Sequence, residues 1–156
     1  ISFSIVALIY FLDRLTKIYV IQLDKNNFGS DIFNSAYLNI VLIWNKGIAF
    51  GLLSFSETHL YNILSLIISI IVLILVIMSL KSHGFKRYSL LMIVGGALGN
   101  LHDRIFFNAV PDFIDFHVGN FHWFIFNVSD IFITLGVISM IILELADNKT
   151  EKQNND

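Results

Sequence analysis

The sequence predicts an all-α membrane protein: a four-transmembrane-helix bundle with a small sheet on its extracytoplasmic side, forming a single domain over residues 1–156. Three observations predict it. Of the 156 residues, 56% are hydrophobic and only 14% charged, against about 25% charged in a soluble domain; mean hydropathy is +0.74. Apolar runs approaching the roughly 20 residues that cross the hydrocarbon core recur four times. The few acids inside or beside these runs, concentrated between Gly95 and Asp130, fall where ionisable groups in a membrane mark a working site. A net charge of −2 with no basic footprint argues against a nucleic-acid partner. With no cysteine there is no disulfide framework, thiol nucleophile or thiolate metal site.

The first span covers about residues 1–23. Its apolar run is followed by Asp13 and Arg14 rather than a small-residue cleavage site, so it reads as a retained span. The chain starts at Ile1, not Met, and a few residues are expected to precede it. Asp13 and Lys17 are four apart in the favourable acid-first order, which predicts an ion pair on one helix face. Residues 24–58 are too polar and irregular to span. Within them Tyr37 to Ile43 is β-rich, Asn45-Lys46-Gly47 reads as a tight turn and Ile48 to Leu53 returns apolar. A small sheet at the membrane surface is expected there, with Trp44 and Phe50 at headgroup level. Residues 60–80 carry no charge and form the clearest span. The third span is expected at about 88–107 and the fourth at about 124–143.

Four spans put both termini on one side. The 81–87 connection and the tail hold Lys81, Lys86, Arg87, Lys149 and Lys152, whereas the opposite connections hold Lys25, Lys46 and Arg104 at a helix end. The positive-inside rule then places both termini in the cytoplasm and the sheet outside.

In the third span Gly95, Gly96 and Gly99 allow close helix approach, and Gly96, Asn100 and Arg104 share a face at four-residue spacing. On the fourth, Asn127 and Asp130 are three apart; alone, they equally fit a capping box at a helix start. Asp112 after Pro111 equally fits an exposed turn residue, and Asp115, His117 and His122 fit polar positions of an interfacial segment. Joint occurrence favours a site, because Asn100, Arg104, Asp112, Asn127 and Asp130 all fall at the outer level of the bundle. Asp103, near Arg104 and Asn100, can pair with a neighbouring cation and hold the helix end. Two carboxylates sharing a site cannot both ionise; one holds a proton and the other acts as base. Such a pair can activate water against an amide without a metal or cofactor. The acids and histidines between His102 and His122 match no zinc spacing such as His-Glu-x-x-His.

These pieces resemble the bacterial lipoprotein signal peptidases (signal peptidase II) over nearly the whole chain. The resemblance rests on Asp13-x-x-Thr16-Lys17, Asn45-x-Gly47-x-Ala49-Phe50-Gly51, Gly95-Gly96-Ala97-Leu98-Gly99-Asn100-x-x-Asp103-Arg104, Asp112-Phe113-Ile114-Asp115-Phe116 and Phe126-Asn127-x-x-Asp130, in that order. It implies an aspartic endopeptidase of the bacterial inner membrane, its active site towards the outer leaflet. Its substrates would be prolipoproteins, cut just before a diacylglyceryl-modified cysteine. It further implies Asp112 and Asp130 as the catalytic pair, supported by Asp13, Lys17, Asn45, Gly96, Asn100, Arg104 and Asn127. A β-cradle beside the bundle, contact with membrane phospholipid and inhibition by globomycin are implied as well. Two positions depart from the family pattern. Ser129 replaces the usual alanine, and its hydroxyl could donate to Asp130; Pro111 replaces an aliphatic residue and stiffens the approach to Asp112. The competing reading is a small transporter or channel subunit relaying ions through its intramembrane acids.

Overall fold

The computed structural model describes residues 2–27, 32–47 and 58–154. Four long helices are present: α1 (Ser2–Asn26), α2 (Thr58–Lys81), α3 (Gly84–Phe107) and α4 (Val128–Asn154). Three strands, β1 (Leu38–Asn45), β2 (Val110–Val118) and β3 (Phe121–Phe126), form one antiparallel sheet in the order β1-β2-β3. Among the described residues three helical stretches, Tyr61–Lys81, Gly84–Phe107 and Val128–Ala146, are long and apolar enough to cross a membrane.

The helices are turned outward in the sense a membrane protein requires. Leu66, Ile70, Leu73 and Ile77 of α2 are exposed, as are Leu8, Leu15 and Ile18 of α1 and Ile138 and Ile142 of α4. The buried set is instead strongly polar, with Asp13, Lys17, Asn100, Asp103, Arg104, Asn127 and Asp130 inside. Lipid solvates the apolar exterior, and polar side chains face the bundle interior, where they can pair. Helix α3 is the hub, packed against α1, α2 and α4. A Cβ on Gly96 would stand 2.5 Å from the Ser129 carbonyl oxygen and 2.8 Å from Ile133 Cγ1 of α4. Glycine therefore sets how closely α3 and α4 approach.

The sheet differs from the expected one. Strand β1 lies in the β-rich run, but its partner is β2, from Leu38 opposite Phe116 to Asn45 opposite Val110, with a bulge between Ile40 and Ile43. The expected return strand at Ile48–Leu53, and Phe50 with it, lie outside the described residues. Strands β2 and β3 form a hairpin in which Val118 faces Phe121. Its two-residue loop begins with Gly119 at φ 59°, the glycine-first pattern of a II′ turn. The chain thus stays in strand to Phe126, so the fourth helix begins at Val128 and not near 124, while the third begins at Gly84, four residues before the expected start. Pro111 is tolerated because β3 flanks β2 only from Ile114 onward, so its missing N–H removes no bond to that strand.

Candidate active site

Strand β2 and the start of α4 bring the two acids together. Asp112 sits on β2 opposite Ile43 and is buried, not in the exposed turn that its position after Pro111 equally fits. Asp130 sits in the first turn of α4. The capping pattern and the site turn out to be one arrangement. Asn127 N–H donates to Asp130 Oδ2 at 3.2 Å, and Asp130 N–H donates to Asn127 Oδ1 at 3.1 Å. These reciprocal bonds occupy backbone donors that a helix start leaves unpaired. The Asn127 amide, held in this way, donates through Nδ2 to Asp112 Oδ1 at 2.6 Å. One asparagine therefore ties both carboxyls together.

The remaining carboxyl oxygens have their own donors. Asn45 Nδ2 donates to Asp112 Oδ2 at 2.9 Å, while its Oδ1 accepts from Gly47 N–H at 2.8 Å. That second bond is the turn role expected for Asn45, and it orients the amide for the first. Asn100 Nδ2 donates to Asp130 Oδ1 at 2.8 Å. Its Oδ1 in turn accepts from Lys17 Nζ at 2.9 Å, which fixes the amide's orientation. Arg104 reaches the same region through Nη2 to the Gly47 carbonyl at 3.1 Å and Nη1 to the Asn100 carbonyl at 3.2 Å.

Behind the acids lies a four-charge cluster. Lys17 Nζ pairs with Asp13 Oδ1 at 2.9 Å and with Asp103 Oδ2 at 2.7 Å. Arg14 pairs with Asp13 at 2.8 Å and with Asp103 Oδ1 at 2.6 Å. Two acids and two bases cancel, so the buried charges need no counter-ion from lipid. Asp103 does pair with cations, but they come from α1 rather than from its neighbour Arg104. Arg14 was not singled out in the sequence; its place beside Asp13 was the only signal. The expected bond from Ser129 to Asp130 is absent. Ser129 Oγ is buried without a partner among the described residues, and the residue contributes its N–H instead, to Asp13 Oδ1 at 3.1 Å.

The environment of Asp112 raises its carboxyl to about 6. Burial is the main cause, then the charge of Asp130, with the bonds from Asn45 and Asn127 and the field of Lys17 opposing. Asp115 belongs to a separate group on the sheet, bonded to Asn39 and His122, with the His117 and His122 rings stacked at 5.0 Å. His102 points elsewhere, to Tyr10 at 2.9 Å. Among the described residues no three His, Asp or Glu side chains converge as a metal site would need. A groove of about 250 Å³ lined by Trp123, Phe126, Ile131, Thr134 and Leu135 reaches Asp130 from the outer surface of α4.

Residues 5–146 match the family model for signal peptidase II. A lipoprotein signal peptidase from Pelagibacter ubique (strain HTCC1062) is 46% identical over 152 residues, covering 96% of this chain and 92% of that one. Another from Anaplasma phagocytophilum (strain HZ) is 43% identical over 136 residues, covering 86% and 85%. A bacterial membrane enzyme solved by the in meso method at 2.3 Å resolution superposes with a TM-score of 0.77 at 30% identity, covering 96% of this chain and 90% of that one.

Proposed function

This chain belongs to the signal peptidase II family, and from that premise we propose that it is an aspartic endopeptidase whose catalytic pair is Asp112 and Asp130. Its substrate is a prolipoprotein bearing a diacylglyceryl-modified cysteine, cut just before that cysteine to release the signal peptide. One observation carries the assignment: two buried carboxyls on different elements, bridged by Asn127, accept an N–H on each of their four oxygens. Two carboxyls in one site share a proton, and the rise of Asp112 to about 6 by burial and the charge of Asp130 supports Asp112 as its holder.

Asp130 then serves as base. It takes a proton from a bound water as the water oxygen attacks the scissile carbonyl carbon, while Asp112 gives its proton to the carbonyl oxygen. As the tetrahedral intermediate collapses and the C–N bond breaks, Asp130 gives the proton it took from water to the leaving nitrogen, and Asp112 recovers a proton from the intermediate's hydroxyl. The products are a carboxyl terminus on the signal peptide and a free amine on the lipidated cysteine. Asn45, Asn100 and Asn127 hold the acids in place. Lys17 acts through Asn100, and Asp13 braces Lys17. Gly96 sets the helix spacing, and Arg104 is a substrate donor.

The proposed setting is the bacterial inner membrane, with membrane phospholipid around the bundle, both termini cytoplasmic and the site towards the outer leaflet. Helix α1 is the fourth span. Its 25 residues reach about 37 Å at 1.5 Å per residue, beyond the roughly 30 Å hydrocarbon core. Its Asp13 and Lys17 are buried against α3 while Leu8, Phe11, Leu15 and Ile18 face out, so charge is no obstacle to spanning. The test is incubation of the purified protein with a lipidated precursor. Signal-peptide release is expected, abolished in Asp112→Asn and in Asp130→Asn and unaffected by EDTA. Globomycin, a proposed ligand of the same site, should still bind at least one of the two variants. Wild-type cleavage by either variant would remove the dyad.

A further inference from the structure

Two buried hydrogen-bonding atoms, on Tyr61 and Arg104, have no partner among the described residues. Tyr61, in the first turn of α2, is 4% exposed, and its Oη has no partner among the described residues. The next two residues of α2, Asn62 and Ile63, are exposed, so Tyr61 is an inward point on a helix that otherwise mostly faces outward. The second atom is Arg104 Nε, also buried and unpartnered, although both Nη atoms of that guanidinium are committed to backbone carbonyls. The Tyr61 phenol and the Arg104 guanidinium lie within electrostatic reach of one another, and Arg104 also feels the charges of Asp130 and Asp112.

Buried polar groups in folded proteins are nearly always paired, and an orphan needs an explanation. Here two orphans lie within electrostatic reach of one another, and both are N–H or O–H donors. What they lack is an acceptor. The peptide substrate of the proposed function brings one at every residue, its backbone carbonyl. We propose that the Tyr61 hydroxyl and Arg104 Nε–H form a two-donor clamp for a substrate carbonyl flanking the scissile bond. Tyr61 is thereby a substrate-contacting residue supplied by α2, an element that contributes none of the other groups of the site. The clamp rests on the peptidase reading, but it makes a claim that the acid pair does not.

Tyr61→Phe tests it, because the substitution deletes one oxygen and leaves the ring in place. A hydroxyl with no partner inside the protein contributes no bond to the fold, so its removal is neutral or stabilising. A hydroxyl that binds substrate is missed only in turnover. The purified variant in lipid should therefore keep or exceed the wild-type Tm, while kcat/KM for a lipidated precursor falls about tenfold, equivalent to about 1.4 kcal/mol. Wild-type kcat/KM in Tyr61→Phe would overturn the clamp. A lowered Tm that accounts for the lost activity would overturn it too, by showing that the hydroxyl serves the fold. Asp112→Asn and Asp130→Asn in the same assay separate the two ideas. If both are inactive while Tyr61→Phe is fully active, the clamp alone fails; if either cleaves normally, the dyad fails whatever Tyr61 does.

Discussion

Asp112 is pulled two ways by its neighbours. Burial and the charge of Asp130 favour its protonated form, while the amides of Asn45 and Asn127 favour the anion, and the first pair wins, giving a value of about 6. If Asp112 supplies the acid, kcat/KM should fall as pH rises through about 6, a limb that belongs to the coupled pair. A profile flat from pH 5 to 8 would remove Asp112 from that role. The same value has a consequence for stability. The folded-state value lies above the roughly 3.9 of an unfolded aspartate, so proton uptake favours the folded form. That stabilisation is complete below about pH 4 and is lost as pH rises through about 6. Asp112→Asn does not titrate. The stability of the wild type relative to this variant, read from Tm, should therefore rise as pH is lowered from 8 to 5, by about 1.4 kcal/mol for the one unit crossed below pH 6. Ser129 offers a simpler case. Its hydroxyl is buried and unpartnered, and only its backbone N–H engages Asp13. Ser129→Ala should hold or raise Tm with cleavage intact, since it removes an unsatisfied group and no bond; a clear loss of Tm would mean that the hydroxyl has a role in the fold.

At the scale of elements, α3 carries most of the arrangement, with one face against α4 and another against α1. On the α4 side, Gly96→Ala forces a methyl to within 2.5 Å of the Ser129 carbonyl oxygen. A backbone atom cannot swing aside as a side chain does, so α4 must move and carry Asp130 with it. Overpacking of this kind costs about 1–3 kcal/mol. A fall in both Tm and kcat is expected, and an unchanged Tm would show that the contact has slack. On the α1 side, Asp103→Asn leaves Arg14 and Lys17 two positive charges against Asp13 alone. Removing one partner from a buried ion cluster costs about 3–5 kcal/mol. Loss of stability out of proportion to loss of chemistry is the expected signature. The helices were legible in the sequence because an apolar run of membrane length has few other uses, and the i,i+4 spacings put Lys17 with Asp13, and Gly96 on the face of α3 that meets α4. The sheet was only half legible. Strand β1 announces itself by composition, but its partner begins 65 residues after it ends, and nothing local names that partner. Strand β2 is further disguised by Pro111, Asp112 and Asp115, whose positions serve the site and the Asn39–His122 cluster rather than the alternation that marks a strand. The long-range bonds from Asn127 to Asp112 and from Arg14 to Asp103 were invisible for the same reason.

At the scale of the whole molecule, the acids lie where the sheet joins the helices, and the groove leading to Asp130 runs along the outward, apolar side of α4 past Ile131, Thr134 and Leu135. An apolar approach of this kind fits the proposed site being entered from the bilayer. In the proposed complex the acyl chains occupy this groove and the peptide extends from Asp130 towards Asp112. Each methylene moved into an apolar environment contributes roughly 0.8 kcal/mol, so a pair of acyl chains outweighs any plausible set of backbone hydrogen bonds in holding the substrate at the membrane. An unlipidated precursor of the same sequence should accordingly be cleaved with kcat/KM reduced by about 100-fold or more, the loss appearing mainly in KM because the chemistry at the acids is unchanged. Leu135→Asn, which places an amide on the groove wall away from the acids, should weaken the lipidated substrate and leave the slow unlipidated reaction as it was. Steady-state kinetics on the two precursors, with both enzymes in the same lipid, decide it. Equal rates with and without the diacylglyceryl group would mean that the groove beside α4 is not how the substrate arrives.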